Sequence, residues 1–219
     1  MREKKEKKAC IVLNGQMRDF AFYRDCLDGG GLIIAADGAA NTLFEMGISP
    51  HCIIGDMDSI KERVYAYFEE KGAEILRYPA RKNKTDSELA IDLAAERGCR
   101  EIRMLGCFGD RIDHSLGNLY LLHYAREQGL KAEILSEEGR LFLIGEGESV
   151  LDVRKGDTVS FLNIGSGAEG IDLEGFEYPL ENYDLALGST RCISNVAVQE
   201  HPKVRLRRGS LLAVISGVR

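Results

Sequence analysis

Asp56 and Asp58 stand two residues apart in the stretch GDMDSI (55–60), behind a short apolar run, Cys52 to Ile54, that reads as a buried strand closing on a glycine. In an extended turn, two carboxylates at that spacing point the same way, beyond the strand end. Paired carboxylates suit Mg²⁺, a hard octahedral cation that takes one or two protein carboxylates, keeps several waters and completes its shell with substrate phosphates. A surface turn capping the next helix has the same DxDS appearance. The other strand ends decide between the two.

Polar residues recur behind three further apolar runs: Asp37 and Asn41 in one place, Lys82, Lys84, Thr85 and Asp86 in another, then Asp110, Arg111, Asp113, His114 and Asn118. If these runs are strands of one parallel sheet, right-handed crossovers place every strand-to-helix loop at one edge, the carboxyl ends, where ligands bind in open α/β sheets. Singly, each residue has an ordinary explanation: Asp37 a turn, Asp86 a first-turn charge favoured by the helix dipole, Asp113 and His114 the entry to another helix. Gathered at one edge, so many like charges repel, and a metal-phosphate site is a function that offsets them. No GxxxxGK[ST] loop exists and no GxGxxG follows the first apolar run, so a nucleotide has to be held in another way. Gly106 and CFGDRIDH (107–114) supply accessible backbone N–H groups, and the planar fork of Arg111 suits phosphate. Arg111 can equally pair with a neighbouring Asp, and His114 can serve either as a helix-start hydrogen-bonding residue or as a general base.

The elements that must position these residues alternate. ACIVLN (9–14), GLIIAA (31–36), HCII (51–54), EILRY (74–78), EIRML (101–105) and KAEIL (131–135) read as strands; 20–27, 39–46, 61–71 and 114–128 read as helices, and Thr85-x-x-Glu88 is a capping box opening one more that ends before Gly98. That alternation predicts a mostly parallel, doubly wound sheet. After Leu135 the character changes to short runs, RLFLIG, TVSFLNI, YDLALG, VRLRR and LLAVIS, punctuated every eight to twelve residues by Gly, Asn, Asp or Pro. The expected architecture is an α/β domain over 1–136 followed by a smaller all-β, sandwich-like domain over 137–219.

Composition narrows the function classes. Of the net charge of −6, Met1 to Lys8 contributes five basic and two acidic residues, which leaves −9 for the rest. An acidic body is a poor nucleic-acid binder. The basic start reads as a disordered, solvated tail, and nothing approaches the roughly 18 apolar residues of a membrane span, so a cytoplasmic protein is expected. Cysteines 10, 26, 52, 99, 107 and 192 lack CxxC spacing and lie mostly in apolar segments, which predicts buried free thiols.

With these residues in hand, the chain resembles the thiamine pyrophosphokinases over nearly its whole length. ADGAAN (36–41) is similar to that family's DGG-type turn, GDMDSI to its GDxDS, KNKTDSELA (82–90) to its KxxTD, and GDRIDHSLGN (109–118) to its GGRxDHxLxN; GFEYPL (175–180) and LGSTRCISN (187–195) look like segments of its β domain. Asp110 departs from the pattern by replacing the second glycine, and the chain has no Trp. The resemblance implies transfer of the β,γ-diphosphoryl unit of ATP to the hydroxyethyl group of thiamine, with Mg²⁺, on a homodimer whose sites are shared across the interface. It implies Asp56, Asp58, Asp86 and Asp113 as metal ligands, and these four with Arg111 as the catalytic set. Asp37, Lys82, Thr85, Arg111, His114 and Asn118 fall on the ATP side, Ser194 and Asn195 on the thiamine side. A pyrophosphokinase for another primary alcohol, such as a hydroxymethylpterin, and a non-catalytic Mg-nucleotide sensor are the alternatives.

Overall fold

The computed structural model describes residues 7–29, 31–81, 83–165 and 167–217. The chain divides into two compact units, Met1–Glu137 and Glu138–Arg219.

In the first unit strands and helices alternate: β1 (Lys8–Val12), α1 (Phe20–Leu27), β2 (Leu32–Ala36), α2 (Ala39–Met46), β3 (Cys52–Gly55), α3 (Glu62–Glu70), β4 (Glu74–Arg77), α4 (Asp86–Glu96), β5 (Glu101–Leu105), α5 (Ile112–Glu127) and β6 (Lys131–Ser136). The strands pair in parallel in the spatial order β6-β5-β1-β2-β3-β4. The order reverses between β1 and β5, a topological switch point of the doubly wound kind. The central strands are almost wholly buried because both sheet faces are covered, which is why they read as continuous apolar runs rather than alternating ones. Tyr23, Leu43, Met46, Val64 and Phe68 of α1 to α3 pack on the face that presents Val12, Ala35 and Ile53. Helix α4 lies against β1, β2 and β3, and α5 against β6. Each fully buried side chain of that size stabilises the unit by about 1.5–3 kcal/mol.

Helix starts follow local chemistry. The Asp19 carboxylate accepts from the amides of Ala21 and Phe22 at the head of α1. Thr85 and Glu88 form the expected capping box at the head of α4. The basic start needs one correction. Residues 1–6 lie outside the described residues, but Lys8 opens β1 in register with Glu101, and its ammonium meets that carboxylate at 2.7 Å. A lysine beside an acidic partner on the next strand extends the ladder instead of fraying from it.

The second unit is all strand: β7 (Gly139–Ile144), β8 (Gly147–Val150), β9 (Thr158–Leu162), β10 (Ala168–Glu174), β11 (Leu180–Tyr183), β12 (Asn195–Val196), β13 (Lys203–Gly209) and β14 (Leu211–Ser216). Antiparallel ladders join β12-β9-β14-β7 and β11-β10-β13-β8. Val159, Phe161, Ala213 and Ile215 from the first set and Ile171, Leu173, Val204 and Leu206 from the second share one core, which makes a sandwich. The YDLALG run is not the strand it resembles. Pairing ends at Tyr183, and the chain then folds Leu185 into the core while Leu187 stays 73% exposed. Asp184 caps the bend by accepting from the Gly170 amide at 2.7 Å. Strand β10, in turn, is hidden in the sequence by its glycine: Gly170 sits at φ +64 and interrupts the apolar alternation.

Candidate active site

Strand β2 delivers Asp37 to the carboxyl edge of the parallel sheet. Its amide donates to the Ile54 carbonyl, continuing the ladder to β3, and its backbone then turns to φ +43, a left-handed conformation that Asp tolerates better than most residues. The side chain is 7% exposed. Its Oδ2 accepts from the Ser59 amide at 3.2 Å, while Oδ1 is buried with no hydrogen-bond partner among the described residues. Burial pushes this carboxyl above its ordinary range; hydrogen bonding from Ser59 opposes the shift, and the charges of Asp86 and Asp56 add to it.

Strand β3 delivers the next two carboxylates. Asp56 Oδ1 accepts from the Asp58 amide, and the Ser59 hydroxyl donates to Asp58 Oδ1 at 2.8 Å. Met57 between them takes φ +67 and buries its side chain in the core, so a three-residue turn anchors inward at its middle and leaves both flanking carboxylates at the edge. Asn41 of α2 holds this loop by donating to the Ser59 carbonyl and accepting from the Lys61 amide. Carboxylate oxygens of Asp37, Asp56 and Asp58 all lie within 4.8 Å of one another. Asp86 borders the group from the first turn of α4. A Cβ at Gly55 would stand 2.8 Å from Asp37 Cβ and 3.1 Å from the Asp86 carboxyl carbon, and Gly55 itself is at φ +153. Only a glycine lets these two acids converge there.

Such a set fits a hard divalent cation. Three close carboxylates repel, and a buried carboxylate oxygen without a donor costs free energy that a cation recovers. The structure brings together Asp56 and Asp58 with Asp37, which the sequence placed on the nucleotide side, while Asp86 lies outside this close group and adjoins Asp37 and Gly55. It does not bring Asp113 to them. Arg111 holds that carboxylate in a two-pronged pair, at 3.2 and 2.6 Å, and keeps it below the usual range for a carboxyl group. Both side chains are about two-thirds exposed, at 69% and 66%. Solvent screens an exposed pair of this kind, so Arg111 can exchange Asp113 for a phosphate at small cost.

Two of the residues expected on the ATP side, Thr85 and Asn118, make local structural bonds. The Thr85 hydroxyl is occupied by the capping box. Asn118 Nδ2 donates to the Cys107 carbonyl at 2.9 Å, fixing the loop after β5. His114 is exposed at the head of α5. Lys82 lies outside the described residues. In the second unit Ser194 is exposed at φ +60, and its amide donates to the Ser160 hydroxyl. Asn195 is 3% exposed. Its amide group both accepts from the Tyr178 amide and donates to the Tyr178 carbonyl, so it shapes the backbone around Tyr178.

The loop after β1, Asn14 to Asp19, went unremarked in the sequence. Its glycine and glutamine amides donate to the carbonyls of Gly106 and Phe108, at 2.8 and 2.7 Å, across the switch point. The Gln16 side chain donates to Asp110 and accepts from Arg18 at 2.6 Å. Asp110, the residue that replaces a glycine of the family pattern, therefore has a partner of its own. The available signal was position, since this is the first strand-to-helix loop and must reach the same edge.

Residues 23–134 match the family described as thiamin pyrophosphokinase, catalytic domain, and residues 148–211 the one described as thiamin pyrophosphokinase, vitamin B1 binding domain. A thiamine pyrophosphokinase of Bacillus subtilis is 32% identical over 188 residues, 84% of this chain and 87% of that protein. A crystal structure of the Bacillus subtilis enzyme superimposes with a TM-score of 0.85 at 30% identity, over 97% of this chain and all of that one. The Candida albicans enzyme, at 17% identity over 97% of this chain and 90% of that one, shares the fold with the same TM-score.

Proposed function

The chain belongs to the thiamin pyrophosphokinase family, and from that premise we propose that it transfers the terminal diphosphoryl unit of ATP to the hydroxyethyl group of thiamine, releasing AMP. The observation that carries the site assignment is the Asp37, Asp56 and Asp58 group with its unpartnered buried oxygen. The match of residues 148–211 to a vitamin B1 binding domain favours thiamine over a hydroxymethylpterin, and the match of residues 23–134 to a catalytic domain favours an enzyme over a nucleotide sensor.

Asp37, Asp56 and Asp58, with Asp86 beside them, would hold Mg²⁺. Bound there, it supplies charge neutralisation for the polyphosphate oxygens. The chain's own work is positioning and electrostatics, as in other phosphoryl transfers. Arg111 turns from Asp113 to the phosphates, and Lys82 joins it. A carboxylate oxygen of Asp56 or Asp58 accepts the proton of the attacking thiamine hydroxyl. The loop after β5, pinned by Asn118 and by the backbone of Gly15 and Gln16, presents its amides to the nucleotide. In this reading Met1–Glu137 is the nucleotide and metal unit, Glu138–Arg219 is the thiamine unit, and Ser194 contributes to thiamine binding.

Among the described residues no helix is long and apolar enough to cross a membrane, and a cytoplasmic enzyme is proposed. A homodimer with shared sites is proposed as well. It is supported by Ile112, Leu116 and Tyr120, spaced four apart on α5 and 74%, 55% and 55% exposed, an apolar stripe that a partner surface would cover.

One experiment tests both the site and the assembly. Asp58→Asn neutralises a metal-side carboxylate at nearly constant volume and should lower turnover by orders of magnitude while the melting temperature holds. Unfolded and reassembled with an inactive Ser194→Ala chain, it should recover roughly a quarter of wild-type activity, because half the dimers are mixed and each mixed dimer has one intact site. Near-normal turnover in Asp58→Asn removes that residue from the site. Proven subunit exchange without recovery removes the sharing across the interface.

A further inference from the structure

Lys84, Asp92 and Tyr124 close a ring of side-chain hydrogen bonds that the mechanism above does not use. The Lys84 ammonium donates to Asp92 Oδ2 and, at 2.8 Å, to the Tyr124 hydroxyl; that hydroxyl donates to Asp92 Oδ1 at 2.6 Å. The three groups come from the loop after β4, from the second turn of α4 and from the last third of α5. Asp92 is only 19% exposed in its side chain, so its charge depends on both partners.

Lys84 immediately precedes Thr85, the N-cap of α4, and Asp86, its first residue. Leu89, Ala90, Ile91, Leu93 and Ala94 bury the body of α4 and fix it. The first turn lacks that burial, since Asp86, Ser87 and Glu88 are all partly exposed, and helix ends fray. Asp86 nevertheless has to sit beside Asp37, whose carboxyl feels its charge, with its own carboxyl bordering the space that a Gly55 side chain would fill. Like-charge repulsion pushes the turn outward whenever no cation is bound. A tether acting just ahead of the cap opposes that motion at the point where the helix is weakest.

We propose that the Lys84–Asp92–Tyr124 ring is a positioning device that holds the first turn of α4, and with it Asp86, at the cation site. The inference rests on reading the carboxylate group as that site. Tyr124→Phe removes a single hydroxyl, and Lys84→Met removes the charge while keeping much of the stem. The direct readout is Mn²⁺ binding to the chain alone, followed by loss of the free-ion electron paramagnetic resonance signal. Partners of metal ligands typically change affinity by about 10–100-fold, and this ring acts one step further out, so both variants should raise the Mn²⁺ dissociation constant by roughly three- to tenfold. Lys84→Arg, which can still fork onto Asp92, should stay within about twofold of wild type. The KM for thiamine should be unchanged.

Unchanged Mn²⁺ affinity in both folded variants overturns the proposal even if their melting temperatures fall, because the ring is then an ordinary brace. A wild-type chain that does not bind Mn²⁺ overturns it as well. If wild type binds Mn²⁺ yet forms no thiamine diphosphate, the functional reading fails, while the shift in Mn²⁺ affinity still decides the role of the ring.

Discussion

At Asp37 the demands of folding and of function conflict most sharply. Its carboxylate is buried, lacks one hydrogen-bond partner and faces two other acids, so its charge destabilises the metal-free protein. Asp37→Asn should therefore raise the melting temperature of the metal-free chain while abolishing its stabilisation by Mg²⁺. A gain of about 2–4 °C corresponds to about 1 kcal/mol in a chain of this size. The sign follows from linkage. A carboxyl group whose pKa is raised on folding costs stability above that raised value and nothing below its unfolded value near 4, so the gain should be present at neutral pH and vanish in acid. Calorimetry at two pH values checks it; a variant less stable than wild type at neutral pH would contradict the assignment. Asp56 and Asp58 were legible because their spacing within one turn carries their geometry. Asp37 was legible only as one more acid at the edge, since its burial and its missing partner are made by β3 and Ser59, more than fifteen residues away in the chain. Asn195 shows the converse: a motif position names a residue without saying that the Tyr178 backbone meets both ends of its amide.

Elements place these residues, and the loop Gly55 to Ser59 shows how closely. Gly55 has no room for a side chain, with a Cβ position 2.8 Å from Asp37 and a φ of +153. Gly55→Ala should cost about 1–3 kcal/mol through backbone strain and crowding. It should also weaken Mg²⁺ stabilisation by separating Asp37 from Asp86. Thermal melts with and without Mg²⁺ measure both effects, and a variant whose Mg²⁺ response equals that of wild type would mean the glycine serves only the turn. The helices and parallel strands of the first unit were readable because continuous apolar runs, capping boxes and glycine stops are local signals. In the second unit the signals were weaker. Two-residue β12 is too short to carry a pattern, and β10 is broken by Gly170, so those strands exist only through the ladders they join.

The whole molecule carries a parallel sheet that gathers acids at one edge and a β-sandwich matched to vitamin B1 binding. Under the proposed function, the acidic edge would let a chain of net charge −6 handle phosphates through a bound cation. It also favours thiamine, whose thiazolium ring is cationic. The proposed reaction transfers two phosphoryl groups in one step from ATP to thiamine. Its product stoichiometry can be read by ³¹P nuclear magnetic resonance of the purified chain with ATP, thiamine and Mg²⁺. One AMP should form for each thiamine diphosphate, with both signals lost on chelation. ADP and thiamine monophosphate in equal amounts would show single phosphoryl transfer and contradict it.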